Sequence, residues 1–100
     1  MTKVTFDRFG DNELTVLCPA CGGNWTHQRR VETFFRREDA ATGTHVSADG
    51  SHTTIDPCLH GNPSRRRDGV RIWIECENCE HQFDLTIVQH KGQTLVNCYD

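Results

Sequence analysis

Apolar and polar residues alternate along much of this chain, and that period of two is typical of β-strands. The clearest stretch is residues 70–76, VRIWIEC, where Ile72 and Ile74 point to one face and Trp73 to the other. Residues 83–87 and 93–98 continue the alternation and are separated by a turn at 90–92. Helical periodicity is nearly absent. We therefore expect a small, mostly-β fold built around an antiparallel sheet.

A further strand is predicted over residues 31–37, VETFFRR, with Val31 and Phe35 on one face and Phe34 on the other, outward face. Residues 39–69 have no strong core pattern. They contain a predicted hairpin around an Asp-Gly turn, followed by a loop rich in glycine, proline and arginine. At 100 residues the chain has the length of one domain. We expect a single domain over residues 1–100, with 39–69 an inserted loop and hairpin.

A repeated cysteine motif lies on either side of this insertion. Residues 14–25 read L-x-V-x-C-x-x-C-x-x-x-W, and residues 72–83 read I-x-I-x-C-x-x-C-x-x-x-F, at a constant offset of 58 residues. In each copy a strand runs into a tight turn, which lets both sulfurs face one ion. Zinc takes four such ligands at tetrahedral corners, about 2.3 Å from the ion. The motif predicts one structural Zn²⁺ held by four thiolates, Cys18, Cys21, Cys76 and Cys79, with Trp25 and Phe83 covering the flanks.

The two cysteine turns differ in the residues that favour a turn conformation. The first has Pro19 to restrict its backbone and Gly22 where a positive φ is commonly needed. The second has Asn78 and then Glu80 in place of that glycine. We expect Glu80 to adopt a conformation that glycine reaches at lower free-energy cost, which strains the second turn.

Composition and compartment favour metal over disulfide bonds. Only 35% of the residues are hydrophobic, and a domain with so small an apolar core generally needs additional stabilisation by a disulfide or a bound metal. The first residues lack the apolar core of a secretory signal, and no run reaches the roughly 18 apolar residues of a membrane helix. We expect a cytoplasmic protein without a membrane partner, in a reducing compartment where paired CxxC motifs indicate metal or redox chemistry. A redox CxxC begins a helix, and no helical pattern follows either pair.

On these motifs the chain resembles a zinc ribbon, in which two cysteine knuckles at hairpin tips hold one Zn²⁺ over a small antiparallel sheet. The resemblance covers roughly residues 13–26 and 70–88. It departs from the family pattern in spacing, because 54 residues separate Cys21 from Cys76, against about 15 to 20 in the commonest four-cysteine pattern. More loosely, the CPACGG and QHKGQT segments and the arginine-rich turn resemble small zinc-ribbon proteins of actinobacteria and their phages.

Charge is distributed unevenly along the chain. The net charge is −3, yet residues 29–71 hold eight arginines against six acidic residues. Arginine binds phosphate through a planar fork, and aromatic side chains stack on bases. We therefore expect a zinc-binding module that contacts DNA or RNA through this region, by way of Arg36, Arg37, Arg65, Arg66, Arg67, Arg71 and Trp73, with Phe34 as a further stacking residue.

Two alternatives compete with nucleic-acid binding. The arginines could be neutralised by acidic neighbours such as Glu38 and Asp39, and the acidic total opposes nonspecific binding to phosphates. The protein could instead be a protein-interaction module. The phage resemblance then implies a modulator of a host transcription or defence protein.

The remaining cysteines and histidines provide weaker signals. Cys58 and His60 lie close together in the insertion, but a second zinc site there is disfavoured, since such residues are more often simple surface or buried side chains. His52, His60 and Asn62 invite comparison with zinc-braced HNH nucleases, but no Asp-His pair on a strand precedes them. We expect the protein not to be an enzyme.

Overall fold

β-Strands joined by turns and loops form the protein in a computed structural model that describes residues 4–99. Among these residues there is no α-helix, and none that could cross a membrane. The strands are β1 (Phe6–Arg8), β2 (Leu14–Val16), β3 (Thr26–Phe35), β4 (Thr44–Asp49), β5 (Thr53–Asp56), β6 (Gly69–Cys76), β7 (Gln82–His90) and β8 (Gln93–Tyr99). Every described pairing is antiparallel. The mostly-β, antiparallel fold predicted from the sequence is confirmed.

The strands form one large sheet and one small one. Six strands pair in the order β5-β4-β3-β6-β7-β8, and β1 pairs with β2. The hairpin predicted in the insertion is β4–β5. It extends the large sheet, because β4 pairs with β3 from Phe35↔Thr44 to Arg30↔Asp49. At its turn the Asp49 carboxylate accepts hydrogen bonds from the backbone N–H groups of Ser51 and His52, at 2.7 and 2.8 Å.

Strand β3 is longer than its apolar pattern predicts. It begins at Thr26 rather than at Val31, and its first residues are polar. They are held in the sheet by pairing with β6, starting at Thr26↔Cys76, and a bulge lies between Gln28 and Arg30. Strand β1 was also not predicted from its sequence, because a three-residue strand carries too little pattern. Tertiary pairing, rather than alternation, defines both segments.

The main core lies at the cysteine end, between the apolar face of the large sheet and the β1–β2 layer. Ile74 is buried and Ile72 packs against the same buried cluster, so the inward face predicted for β6 is confirmed. The buried cluster consists of Cys18, Ile74, Cys76, Phe83 and Cys98, with Val4, Val16, Ile72 and Leu85 packed against it. Two of the cysteines in the repeated motif are thus also core residues.

A second buried centre lies on the opposite face of the sheet, around Phe34. Phe34 lies on the same face of the sheet as Trp73, as predicted, but its side chain is fully buried, so the prediction that it is available to stack on bases is wrong. Its ring stacks on His45 at 4.4 Å between centroids, and His45 in turn bonds to Asp56 at 3.2 Å. The insertion passes over the ring, since a Cβ added to Gly61 would lie 3.9 Å from the tip of Phe34.

Candidate metal centre and arginine cluster

The two cysteine turns share one hydrogen-bonding pattern. In the first, the N–H of Gly22 donates to the carbonyl of Cys18 at 2.8 Å. In the second, the N–H of Glu80 donates to the carbonyl of Cys76 at 3.0 Å. The two motifs, 58 residues apart, therefore share a backbone conformation as well as a sequence pattern. The φ angles are 73° at Gly22 and 61° at Glu80, as the motif comparison predicted. A non-glycine residue in this left-handed region is strained, so the second turn holds the less favourable backbone.

The two turns bring four sulfur atoms together. The Sγ atoms of Cys18 and Cys79 are 3.7 Å apart, those of Cys21 and Cys76 are 3.6 Å apart, and all four lie within 4.8 Å of one another. Four sulfurs placed about 2.3 Å from a central ion at tetrahedral corners are about 3.8 Å apart. A disulfide would require about 2.05 Å, and all of these cysteines are free. The cluster therefore fits a single metal ion held by four thiolates.

The surroundings of the cluster are apolar on one side and open on the other. Cys18 and Cys76 are buried, whereas Cys21 and Cys79 are exposed. Phe83 is only 3% exposed and packs in the same buried cluster, in agreement with its predicted covering role. Trp25 is 63% exposed, and its carbonyl accepts a hydrogen bond from the N–H of Glu77 at 2.9 Å. Trp25 therefore joins the two turns through its backbone and leaves its ring in solvent.

Backbone donors and neighbouring thiols perturb the acidity of the cluster in opposite directions. The N–H of Cys79 lowers the pKa of Cys76 to about 7, against the effect of burial. For Cys79 a donor at His81 is outweighed by desolvation and by the thiols of Cys21 and Cys18, so its pKa rises to about 12. Four thiolates this close repel one another without a cation among them. Metal binding at this site must therefore release protons, and acid should release the metal.

The chain matches no family model, no curated protein and no solved structure. Within residues 4–99, one group of three or more histidine, cysteine or acidic residues has its ligand atoms close enough together to hold a metal ion. This group consists of the four cysteines. Cys58 and His60 are both exposed and take part in no such group among these residues.

Most of the predicted nucleic-acid contacts gather at the end of the sheet away from the cysteines. We call Arg36, Arg37, Arg65, Arg66 and Arg67 the arginine cluster. Strand β3 starts beside Cys76 and ends at Phe35, so the residues that follow it lie at the far end. There the Arg36 guanidinium donates to the carbonyl of Arg65 at 2.8 Å and to that of Ala40 at 2.8 Å. These bonds join the end of β3 to the arginine-rich loop.

Acidic residues neutralise part of the arginine cluster, as the first alternative predicted. Arg66 makes two bonds of 2.8 Å to the two carboxylate oxygens of Asp39. The Glu38 carboxylate accepts from both Arg66 and Arg67, at 2.9 and 2.7 Å. The bonds from Arg66 also lower the pKa of Asp39. Arg37 and Arg65 are exposed, and no ion pair to either is found within residues 4–99.

Arg71 and Trp73 lie apart from the arginine cluster, on the polar face of the sheet. Both lie on the face of β6 opposite Ile72 and Ile74, as predicted, and Trp73 is 38% exposed. Arg71 bonds to the Asp84 carboxylate at 2.7 Å. The guanidinium carbon of Arg30 lies 3.9 Å from the centroid of the Trp73 ring. The sequence did not point to Arg30 or Asp84, because their roles depend on strand register.

Proposed function

We propose that this protein is a binding module stabilised by one structural zinc ion, and that it contacts nucleic acid through the arginine cluster. The sulfur separations of 3.6 and 3.7 Å carry the first half of the proposal, because four thiolates at tetrahedral spacing are the donor set of structural zinc sites. Iron binds similar sets, so the first test is elemental analysis of the purified protein. We expect one zinc per chain and no visible absorption from iron–sulfur chemistry.

The nucleic-acid half rests on local charge. The arginine cluster brings five positive charges together with three acidic neighbours, Glu38, Asp39 and Asp68, for a local charge of +2 on a chain of −3. Arg37 and Arg65 are the members with exposed guanidinium groups outside the ion pairs described. Phosphate binding by such groups releases counterions, which makes affinity dependent on salt. The ion pairs of Arg66 and Arg67 hold the loop in place beside them.

Replacing Arg37 and Arg65 by alanine is expected to weaken oligonucleotide binding and to flatten its salt dependence. Each lost phosphate contact reduces the slope of log affinity against log salt by about 1. Fluorescence anisotropy of a labelled single strand, titrated at several salt concentrations, measures both quantities. Arg8→Ala is the matched control, because Arg8 is an exposed arginine of the β1–β2 layer, outside the cluster.

A second variant tests the same surface in the opposite direction. Glu38→Gln with Asp39→Asn removes the ion-pair partners of Arg66 and Arg67, so their guanidinium groups become free to bind phosphate. Asparagine tolerates the positive φ of 62° at position 39. We expect tighter binding and a steeper salt slope. Equal oligonucleotide affinities for the wild type and both variants at low salt would contradict the proposal that the arginine cluster binds nucleic acid.

A second candidate function, protein interaction, is favoured by the apolar face of the sheet. One row of paired residues crosses all six strands on this face: Ile55, Val46, Thr33, Val70, Ile87 and Val96. Its ends are well exposed, at 71% for Ile55 and 46% for Val96. Exposed apolar surface of this kind marks binding sites for proteins.

Ile55→Lys is expected to abolish capture of a protein partner from the source cell, because it places a charge in the apolar row. Thr54→Lys is the matched control, since the neighbouring residue is also exposed and points to the other face of β5. The measurement is an affinity pull-down with each variant. A partner retained equally by Ile55→Lys and wild type would show that this face is not the interface.

A further inference from the structure

A pocket of about 470 Å³ opens on the polar face of the large sheet. Strand pairing determines which side chains lie next to one another in this pocket, because Trp73 of β6 lies beside Asp84 of β7, which lies beside Tyr99 of β8. Side chains stand roughly perpendicular to a sheet. The two aromatic side chains therefore rise on either side of Asp84, with their strands two inter-strand spacings, about 9.6 Å, apart. A planar ring needs about 3.5 to 4 Å on each side for contact, so this gap accommodates one ring.

The Trp73 ring is held in position from behind. Arg30 belongs to β3, on the side of β6 away from β7, and its guanidinium lies 3.9 Å from the ring centroid. Arg30 is not among the residues that line the pocket, whereas Trp73 is. Arg71, which lines the pocket, lies farther from the indole, with its guanidinium carbon 5.9 Å from the centroid, so Arg30 makes the closer cation–π contact and the indole also borders the pocket. Such support reduces the entropy lost when a ligand stacks on the ring.

Asp84 provides a fixed acceptor between the aromatic side chains. Its side chain is 15% exposed, and Arg71 donates a hydrogen bond from Nε to Oδ2 at 2.7 Å, while Nη2 of the same guanidinium lies in ion-pair contact with that oxygen, also at 2.7 Å. Within the described residues, no hydrogen bond reaches the other oxygen, Oδ1. The salt bridge therefore fixes the carboxylate and leaves Oδ1 able to accept a hydrogen bond from a ligand.

The lining carries no net charge, which restricts the class of ligand. Of its two arginines, Arg71 pairs with Asp84 and Arg29 lies 3.8 Å from Glu75. A free cation would compete with these arginines for the carboxylates, and a multiply charged anion would meet the carboxylates themselves. A neutral planar group with N–H donors on its edge satisfies both the aromatic side chains and the acceptor. Nucleobases have this combination.

We propose that this pocket binds one base of a single-stranded nucleic acid, stacked between Trp73 and Tyr99 and donating an N–H to Asp84. The inference rests on the proposed nucleic-acid function and adds a base-binding site to the phosphate contacts of the arginine cluster. Bases with an exocyclic amino group suit the acceptor. A free nucleotide carries the same chemistry, so the experiment includes one as a separate probe.

The test uses the zinc-loaded protein with Trp25→Phe, which leaves Trp73 as the sole tryptophan. A labelled oligo-dC reports total binding by anisotropy, while Trp73 emission reports occupation of the pocket. We expect saturable quenching by oligo-dC, little quenching by an abasic strand of equal length, and roughly tenfold weaker affinity in Tyr99→Ala. Tyr99→Phe keeps the ring and should bind like the parent. Tyr99 is 42% exposed at the sheet edge, so neither substitution disturbs the core.

Each outcome separates the pocket from the arginine cluster. Strand binding with salt dependence but no change in Trp73 emission overturns the base pocket and leaves the phosphate contacts standing. Quenching by cytidine monophosphate without strand binding overturns the proposed function and supports a site for free nucleotides. If dC and abasic strands quench equally, stacking is excluded. If no probe binds, both proposals fail.

Discussion

Removal of the metal, or Cys76→Ser, is expected to unfold the cysteine end of the protein. Cys76 has no exposed surface, lies in the buried cluster and carries one of the four converging sulfurs. Structural zinc contributes on the order of 10 kcal/mol of binding free energy, which is comparable to the whole stability of a small domain. The buried cluster contains few apolar side chains besides its cysteines, so little else holds the two turns together.

The effect is measured by NMR spectra and thermal unfolding of the protein before and after a strong chelator, with native mass spectrometry to count bound ions. Cys58→Ser is the matched control, because Cys58 is exposed and stands outside the cluster. This variant should keep one ion and an unchanged melting temperature. A chelated protein that retains the wild-type NMR spectrum would show that the ion does not stabilise the fold.

The second large effect is expected at Phe34. Phe34→Ala removes a fully buried aromatic side chain, and such truncations cost about 3 to 5 kcal/mol, a large share of the 5 to 15 kcal/mol typical of a domain. The stack on His45 would be lost, and the insertion that passes over the ring at Gly61 would lose its support. We expect a much lower urea midpoint and faster amide exchange in residues 57–68.

The neighbouring phenylalanine provides the control for that experiment. Phe35 belongs to the same strand, but its side chain points to the other face and is 55% exposed. Phe35→Ala should change the free energy of unfolding by less than about 1 kcal/mol. Similar losses in the two variants would mean that strand propensity, rather than burial of Phe34, accounts for the effect.

Local chemistry explains why the cysteine turns were predictable. A tight turn closed by two cysteines is specified by adjacent residues, and the matching flanks at an offset of 58 identify the second turn from the first. The positive φ at Glu80 follows from its position in the motif, opposite Gly22. Strands β6 and β7 were predictable for a similar reason, because one of their faces is clearly apolar.

Alternation placed Phe34 and Phe35 on opposite faces of β3, but it could not decide which of the two would be buried. The faces are as predicted, with Phe34 on the same side of the sheet as Trp73. The outcome depended on the insertion, which covers Phe34 and leaves Phe35 in solvent. Periodicity in a single strand contains no information about which distant segment will cover it.

The sequence by itself determined the mostly-β class, the two matching turns and the four cysteines, because each depends on residues a few positions apart. The tertiary structure alone decided which arginines are neutralised and which side chains share the Trp73 pocket. Those contacts join residues 11 to 43 positions apart, through the pairing of Arg30, Trp73, Asp84 and Tyr99 across four strands. Strand register, set by the summed packing of the whole sheet, brings such residues together.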